Sequence, residues 1–225
     1  MKIIHYGLQR SGTNLLESLL KKYYRVHFLN SNADRSSHLQ KHVRLYQEKK
    51  FIPEPQYSNE IILNGLSDLE HLFKVAPEYY LIISKDPYSW LLSYKNWAKK
   101  CNWPEVDHHY IQEYNLFYGF FTKLAQESSK FIFIKYVDLI TDKEAVLKGL
   151  QNEMGLKRRF FSGRLELPSR VSQSHSFTDD RLDFYVNERY LEQYQEEELI
   201  HVNEILDFDV VASLGYGIVD ATKAK

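Results

Sequence analysis

With 29 basic residues against 30 acidic ones, the 225-residue chain carries a formal charge of −1, which excludes a nucleic-acid binder working through a broad basic face and requires any anion site to be local. Cys101 is the only cysteine, so an intrachain disulfide is excluded, and no apolar run approaches the roughly 18 residues of a membrane helix. The length suits one sizeable α/β core, no linker-like composition divides it, and a strand starting at residue 2 leaves no room for a signal peptide; residues 1–225 are expected to form one cytoplasmic domain.

Residues 2–20 read as strand, turn and helix in one run. Ile3, Ile4, His5 and Tyr6 suit a short buried parallel strand, and Leu15, Leu16, Leu19 and Leu20 recur at helical spacing. Gly7 and Gly12 stand five apart, as the two glycines of a P-loop do. Glycine lets peptide N–H groups crowd an anion, and a helix beginning near Gly12 adds its partial positive end, so the turn reads as a phosphate cradle. An ATP- or GTP-using P-loop would continue with lysine and a hydroxyl residue. Thr13 and Asn14 follow here instead, and the cation lies inside the loop, at Arg10.

Residues 25–29 alternate as a second strand. A polar stretch over 30–59 follows, with Leu39, Val43, Leu45 and Tyr46 suggesting one short helix; its length marks it as a functional loop, and it carries His38, His42 and Glu54. Residues 60–63 read as a minor strand, and 67–75 as a helix capped by Ser67 with Glu70 three positions on. Residues 79–84 form a strongly apolar strand that runs into Lys85, Asp86 and Pro87. Asp86 is a good N-cap and Pro87 fits a first helical turn, which puts Lys85 at the strand's carboxyl end and Ser93 about two turns into the helix. Such a pair can converge on one phosphate; taken singly, each reads as readily as a solvated surface residue.

Residues 102–109 read as a surface loop. Adjacent His108 and His109 do not chelate readily on one face and lack accompanying ligand spacing, so no metal site is expected. Residues 110–127 read as a long helix whose apolar stripe is core, and 130–135 as a buried strand leading to Tyr136, Val137, Asp138 and Leu139 and then a helix over 142–155. The run Lys157, Arg158 and Arg159 reads as a solvated partner of that helix end. Residues 160–181 are polar and serine-rich, with Arg164, Arg170 and His175; 185–206 read as one or two amphipathic helices, and 214–216 close the fold. Most of the 17 tyrosines are expected in the core.

Three of these segments resemble sulfotransferases that use 3′-phosphoadenosine 5′-phosphosulfate (PAPS). Arg10-Ser11-Gly12-Thr13 is similar to the family's 5′-phosphosulfate loop. Lys85-Asp86-Pro87 with Ser93, eight residues on, is similar to an Arg-Asp/Asn-Pro motif and serine that hold the 3′-phosphate, with lysine replacing the arginine fork by a point charge. Tyr136-Val-Asp138-Leu139, followed by Gly155-Leu156, is similar to Tyr-Glu-Asp-Leu before a helix ending in Gly-Leu, where the tyrosine contacts adenine.

The resemblance implies a three-layer P-loop-like α/β fold with a central, mostly parallel sheet flanked by helices. It implies metal-independent in-line transfer of a sulfuryl group from PAPS to a hydroxyl or amine of a carbohydrate or small molecule. Cofactor binding then falls to Gly7, Arg10, Ser11, Gly12, Thr13, Asn14, Lys85, Ser93 and Tyr136, with Arg10 also catalytic. His42 is the favoured base, because Lys41-His42 looks like a Lys-His pair of carbohydrate-type members, with His38 and Glu54 as alternatives. The family's basic loop over the cofactor corresponds to the stretch holding Arg170. A divergent P-loop kinase using Mg-ATP and a non-catalytic nucleotide-binding protein are the competing readings.

Overall fold

Apolar runs at residues 2–8, 79–84 and 131–135 carry no polar alternation, which suits strands covered on both faces. The computed structural model describes residues 1–30, 42–43, 65–71, 75–103, 105–160, 163, 166, 170–172, 175–176 and 178–224. In it those runs are parallel strands β1 (Lys2–Leu8), β4 (Tyr79–Ser84) and β5 (Phe131–Lys135), joined at the edge by β2 (His27–Phe28) in the order β2-β1-β4-β5. A fifth strand, β3 (His42–Val43), pairs in parallel with Gly7 and Leu8 of β1.

Side chains alternate across the sheet into two cores. Ile3, Leu81, Ile83, Ile132 and Ile134 pack with α1 (Thr13–Tyr23) on one face, together with two later helices, Tyr136–Thr141 and Lys143–Met154. Ile4, Tyr6, Leu8, Tyr80 and Ile82 pack on the other against helices Pro87–Lys100 and Tyr110–Glu127 and the C-terminal elements. The result is a three-layer α/β fold with a parallel central sheet. Numbered in order, the helices are α1, α2 (Leu66–His71), α3 (Pro87–Lys100), α4 (Tyr110–Glu127), α5 (Tyr136–Thr141), α6 (Lys143–Met154), α7 (Asp179–Val186), α8 (Glu196–Ile205) and α9 (Phe208–Ser213). Among the described residues no helix is long and apolar enough to cross a membrane.

Local chemistry sets the helix ends. The Asp86 carboxylate accepts from the amides of Tyr88 and Ser89, with Pro87 at the first position of α3. Asp142 caps α6, which ends on left-handed Gly155. Tyrosine hydroxyls finish carbonyls at the sheet's upper edge: Tyr118 donates to Ile83 and Tyr114 to Lys85.

Several expectations need correction. The strand expected at 25–29 is only two residues long, because Asn30 takes over as the edge partner of β1: its side-chain oxygen accepts from the His5 amide and its nitrogen donates to the His5 carbonyl. Around Val43 the backbone is strand rather than helix, drawn into register by β1; residues 31–41 and 44–64, including the expected minor strand at 60–63, lie outside the described residues. Ser67 falls inside α2, which starts one residue earlier, at Leu66. Of the one or two helices expected over 185–206, the structure has two, the end of α7 and α8, separated by a 3-10 turn at Arg189–Gln193. His108 is buried rather than on the surface, because its Nε2 pairs with buried Glu113 at 2.9 Å. The run Lys157-Arg158-Arg159 is exposed but structural: Arg158 bridges Tyr24, and the Arg159 amide donates to the Tyr23 carbonyl.

One consequence of this order places the site. The chain leaves β1 through α1 toward β2 on one side, then returns to β4 on the other. The carboxyl ends of β1 and β4 therefore flank a topological switch point, where open α/β sheets leave a crevice.

Candidate functional site

The loop after β1 is built by close approach. A side chain at Gly7 would overlap Ser11 and strand β4 at Ile83, and one at Gly12 would lie 2.5 Å from the Tyr136 ring. Gly12 has φ 107° and Arg10 has φ 77°, so left-handed residues alternate through the turn. Holding a non-glycine residue at such a positive φ costs about 1–3 kcal/mol that the surrounding contacts must offset. Ser11, fully buried, closes the turn by donating its N–H to the Leu8 carbonyl at 3.0 Å, and Trp90 Nε1 fixes the loop from α3 by donating to the Gln9 carbonyl at 3.0 Å. Buried Thr13 and half-buried Asn14 open α1, where the Leu15 and Leu16 amides donate to the Gly12 carbonyl at 3.0 and 3.2 Å.

Arg10 reaches across the switch point. Its Nε donates to Ser93 Oγ at 3.3 Å and its guanidinium lies 4.8 Å from the centre of the Trp97 ring, so two residues of α3 orient it. Burial lowers its pKa from the ordinary guanidinium value, and Arg181 adds to that while Tyr185 and Tyr136 oppose it.

Lys85 sits at the end of β4 with only 3% of its surface exposed. Its Nζ donates to the Tyr185 hydroxyl at 2.9 Å and lies 4.5 Å from the Tyr185 ring centre and 5.4 Å from that of Tyr136. Burial lowers the Lys85 pKa, Tyr185 partly restores it, and the charges of Arg10 and Arg181 lower it further. Tyr136 follows β5, packs against Gly12 and meets Tyr185 edge-on at 5.2 Å; burial and the Tyr185 phenol raise its pKa, while the charge of Arg181 opposes the rise. Three cations and two phenols thus crowd one end of the sheet.

Beside Lys85 and Tyr136 opens a cleft of about 320 Å³, lined also by Asp86, Lys135, Tyr190 and the 215–219 segment. That volume is at the lower end of the range for small-molecule sites. Half-buried Tyr216 is part of its lining and shares a hydrogen bond of 3.2 Å with Ser84.

Of the residues singled out in the sequence, Gly7, Arg10, Ser11, Gly12, Thr13, Asn14, Lys85, Ser93 and Tyr136 all lie at this end of the sheet. Ser93 contacts Arg10, and Lys85 contacts Tyr185, so the expected Lys85–Ser93 pair is linked through the cationic cluster rather than drawn together by a direct bond. The backbone of His42 pairs opposite Gly7, beside the loop after β1; His38, Lys41, Glu54 and Arg164 lie outside the described residues. Arg170 falls in a two-stranded ribbon, where it pairs with Ser176, and the arginine brought to Tyr136 and Tyr185 is Arg181 on α7. Arg181 and Tyr185 were missed because only their i, i+4 spacing on a polar helix announces that they share a face. Among the described residues no group of three or more His, Cys, Asp or Glu is placed to hold a metal ion.

The arrangement defines an α/β protein with cations and phenols gathered at the carboxyl end of a parallel sheet, beside a cleft walled by Lys85, Lys135 and aromatic side chains. No family model matches the chain, and no curated protein matches it either.

Proposed function

We propose that the protein is a sulfotransferase that moves a sulfuryl group from PAPS to a hydroxyl or amine of a carbohydrate or small-molecule acceptor, without a metal ion. The observation that supports this reading is the gathering of Arg10, Ser93, Lys85 and Tyr136, from three separated stretches, at one end of the sheet, where Lys85 and Tyr136 also line the cleft. A nucleotide phosphorylated at both ends of its ribose needs two anion seats and a place for a base. Arg10 and the start of α1 suit the 5′ end, Lys85 and Arg181 suit the ribose phosphate, and the cleft beside Tyr136 suits the base.

PAPS supplies a sulfuryl group already activated by its bond to phosphate. Arg10, oriented by Ser93 and Trp97, steadies charge on the oxygens of the group in transfer, and the N-terminus of α1 holds the phosphate that leaves. By analogy with phosphoryl transfer, positioning and charge stabilisation do most of the work. The acceptor's proton passes to a base; His42 is the favoured candidate, since its backbone lies beside Gly7 and histidine titrates near working pH. A His42→Ala variant with full turnover would move that role to His38 or Glu54.

The test is incubation with radiolabelled PAPS and a panel of acceptors, with mass spectrometry of whatever takes up label. Calorimetry with 3′-phosphoadenosine 5′-phosphate (PAP) and with Mg-ATP accompanies it. Magnesium-free binding of PAP with label transfer supports the reading. Binding of Mg-ATP alone favours a kinase, and PAP binding without transfer to any acceptor favours a nucleotide-binding protein.

A further inference from the structure

Tyr185 occupies a place that the proposed chemistry reserves for something else. Its hydroxyl is the oxygen that buried Lys85 holds, at 2.9 Å, and the charge of Arg181, one helical turn earlier, acts on the same hydroxyl. A phenol oxygen held by an ammonium in the field of a guanidinium has the surroundings of a phosphate oxygen. Burial pushes the Tyr185 pKa up, but the charge and hydrogen bond of Lys85 and the charge of Arg181 outweigh it and hold the phenol below its ordinary value, so the oxygen is polarised toward an anion.

The element that delivers Tyr185 is lightly held. Helix α7 has eight residues, none of them fully buried, and two acidic side chains in its first turn face solvent. Its inward contacts are made by Leu182 and Tyr185 against the α1-side core and by Phe184 against Tyr190. An element docked by so few apolar contacts can shift by a few ångströms without unfolding the sheet beneath it.

We propose that Tyr185 is a specificity-determining residue that sits in the seat of the ribose phosphate and must be displaced by it, so that a phosphomonoester dianion gains Lys85 and Arg181 where a ligand without that phosphate does not. This rests on the sulfonucleotide reading above. A phenol offers the two cations one oxygen and a fraction of a charge, whereas a phosphate dianion offers three oxygens and two charges. The apparent affinity of such a ligand is its intrinsic affinity reduced by the fraction of protein in which the seat is open.

The test is calorimetry on the full chain and on Tyr185→Phe, which removes the oxygen and keeps the ring on Tyr136, with circular dichroism to verify folding. The probes are PAP, adenosine 5′-phosphate and inorganic phosphate. The expected result is that Tyr185→Phe binds PAP and inorganic phosphate about tenfold more tightly than the parent, with adenosine 5′-phosphate unchanged. Weaker or equal binding of PAP by the variant overturns the proposal, since Tyr185 is then a ligand contact or a bystander. If neither protein binds PAP but the variant gains affinity for inorganic phosphate, the nucleotide reading fails and the displaced-oxygen proposal stands. If neither protein binds phosphate or PAP, there is no seat and the proposal falls.

Discussion

Arg10 Nε donates to Ser93 Oγ across 3.3 Å, tying the loop after the first strand to the helix after the fourth. The bond makes the orientation of a charged group on one side of the switch point depend on a hydroxyl on the other. Arg10→Ala removes a charge-assisted contact worth about 1.5–3 kcal/mol, so turnover should drop roughly ten- to 150-fold while the fold survives. Ser93→Ala, which leaves the guanidinium in place but unsteered, should cost less, about two- to tenfold. Steady-state kinetics on both variants check this, and near-normal turnover in Arg10→Ala removes the residue from the mechanism.

Asp86 joins the cleft to the cap of α3. Burial raises its carboxyl to about 6, against the opposing bonds from Ser89, Tyr190 and Tyr88. The folded-state value lies above the unfolded one, so the stability linked to its proton is fully present below about pH 4 and is lost as pH rises through about 6. Asp86→Asn keeps a capping oxygen and carries no charge. Its melting temperature should match the parent near pH 4 and exceed it above pH 7, by an amount equivalent to about 1–3 kcal/mol. A constant offset at every pH would assign Asp86 to capping alone.

The sequence was legible where signals are local. The helix Tyr110–Glu127 and the strand Tyr79–Ser84 fall where periodicity and apolar composition put them, and the Asp-Pro pair announces the start of α3. Two-residue strands such as β3 exist only because a neighbour pairs with them, and His42 could not be read as strand from its own surroundings. Arg181 and Tyr185 gain their meaning from the docking of α7 onto Lys85, a contact across 100 positions with no motif at either end. His108 misled for a related reason: what buries it is Glu113, five residues on and inside the next helix, where its carboxylate also accepts from Tyr94 at 2.6 Å.

Gly12 and Tyr136 share a van der Waals boundary that a single methyl group violates. Gly12→Ala adds a carbon 2.5 Å from the ring at φ 107° and should destabilise the protein by about 1–3 kcal/mol. In a Tyr136→Ala background the largest steric overlap disappears, while the 3.2 Å approach to Ile83 and the backbone part remain. Denaturant unfolding of the two single variants and the double variant should therefore show Gly12→Ala costing less in the second background. Equal costs would mean that backbone conformation and Ile83, not the ring, demand glycine.

His108 ends a buried line of contacts that starts at the loop after β1. Trp90 holds the Gln9 carbonyl and stacks on Tyr94 at 4.5 Å, Tyr94 donates to Glu113, and Glu113 pairs with His108. The hydrogen bond from Glu113 is the largest influence on His108; with the nearby Asp107 charge it raises the pKa above the ordinary imidazole value despite burial. The stabilising contribution is thus complete below about pH 6.5 and is lost as pH climbs through the raised folded-state value. The parent's melting temperature should accordingly fall by roughly a few degrees as pH rises above about 6.5. Glu113→Gln, which keeps a partner for Tyr94 but withdraws the negative charge, should abolish that decline and return the His108 ring signals in an NMR titration toward an ordinary midpoint. An unchanged decline in the variant would mean that the proton lost over that range comes from another group.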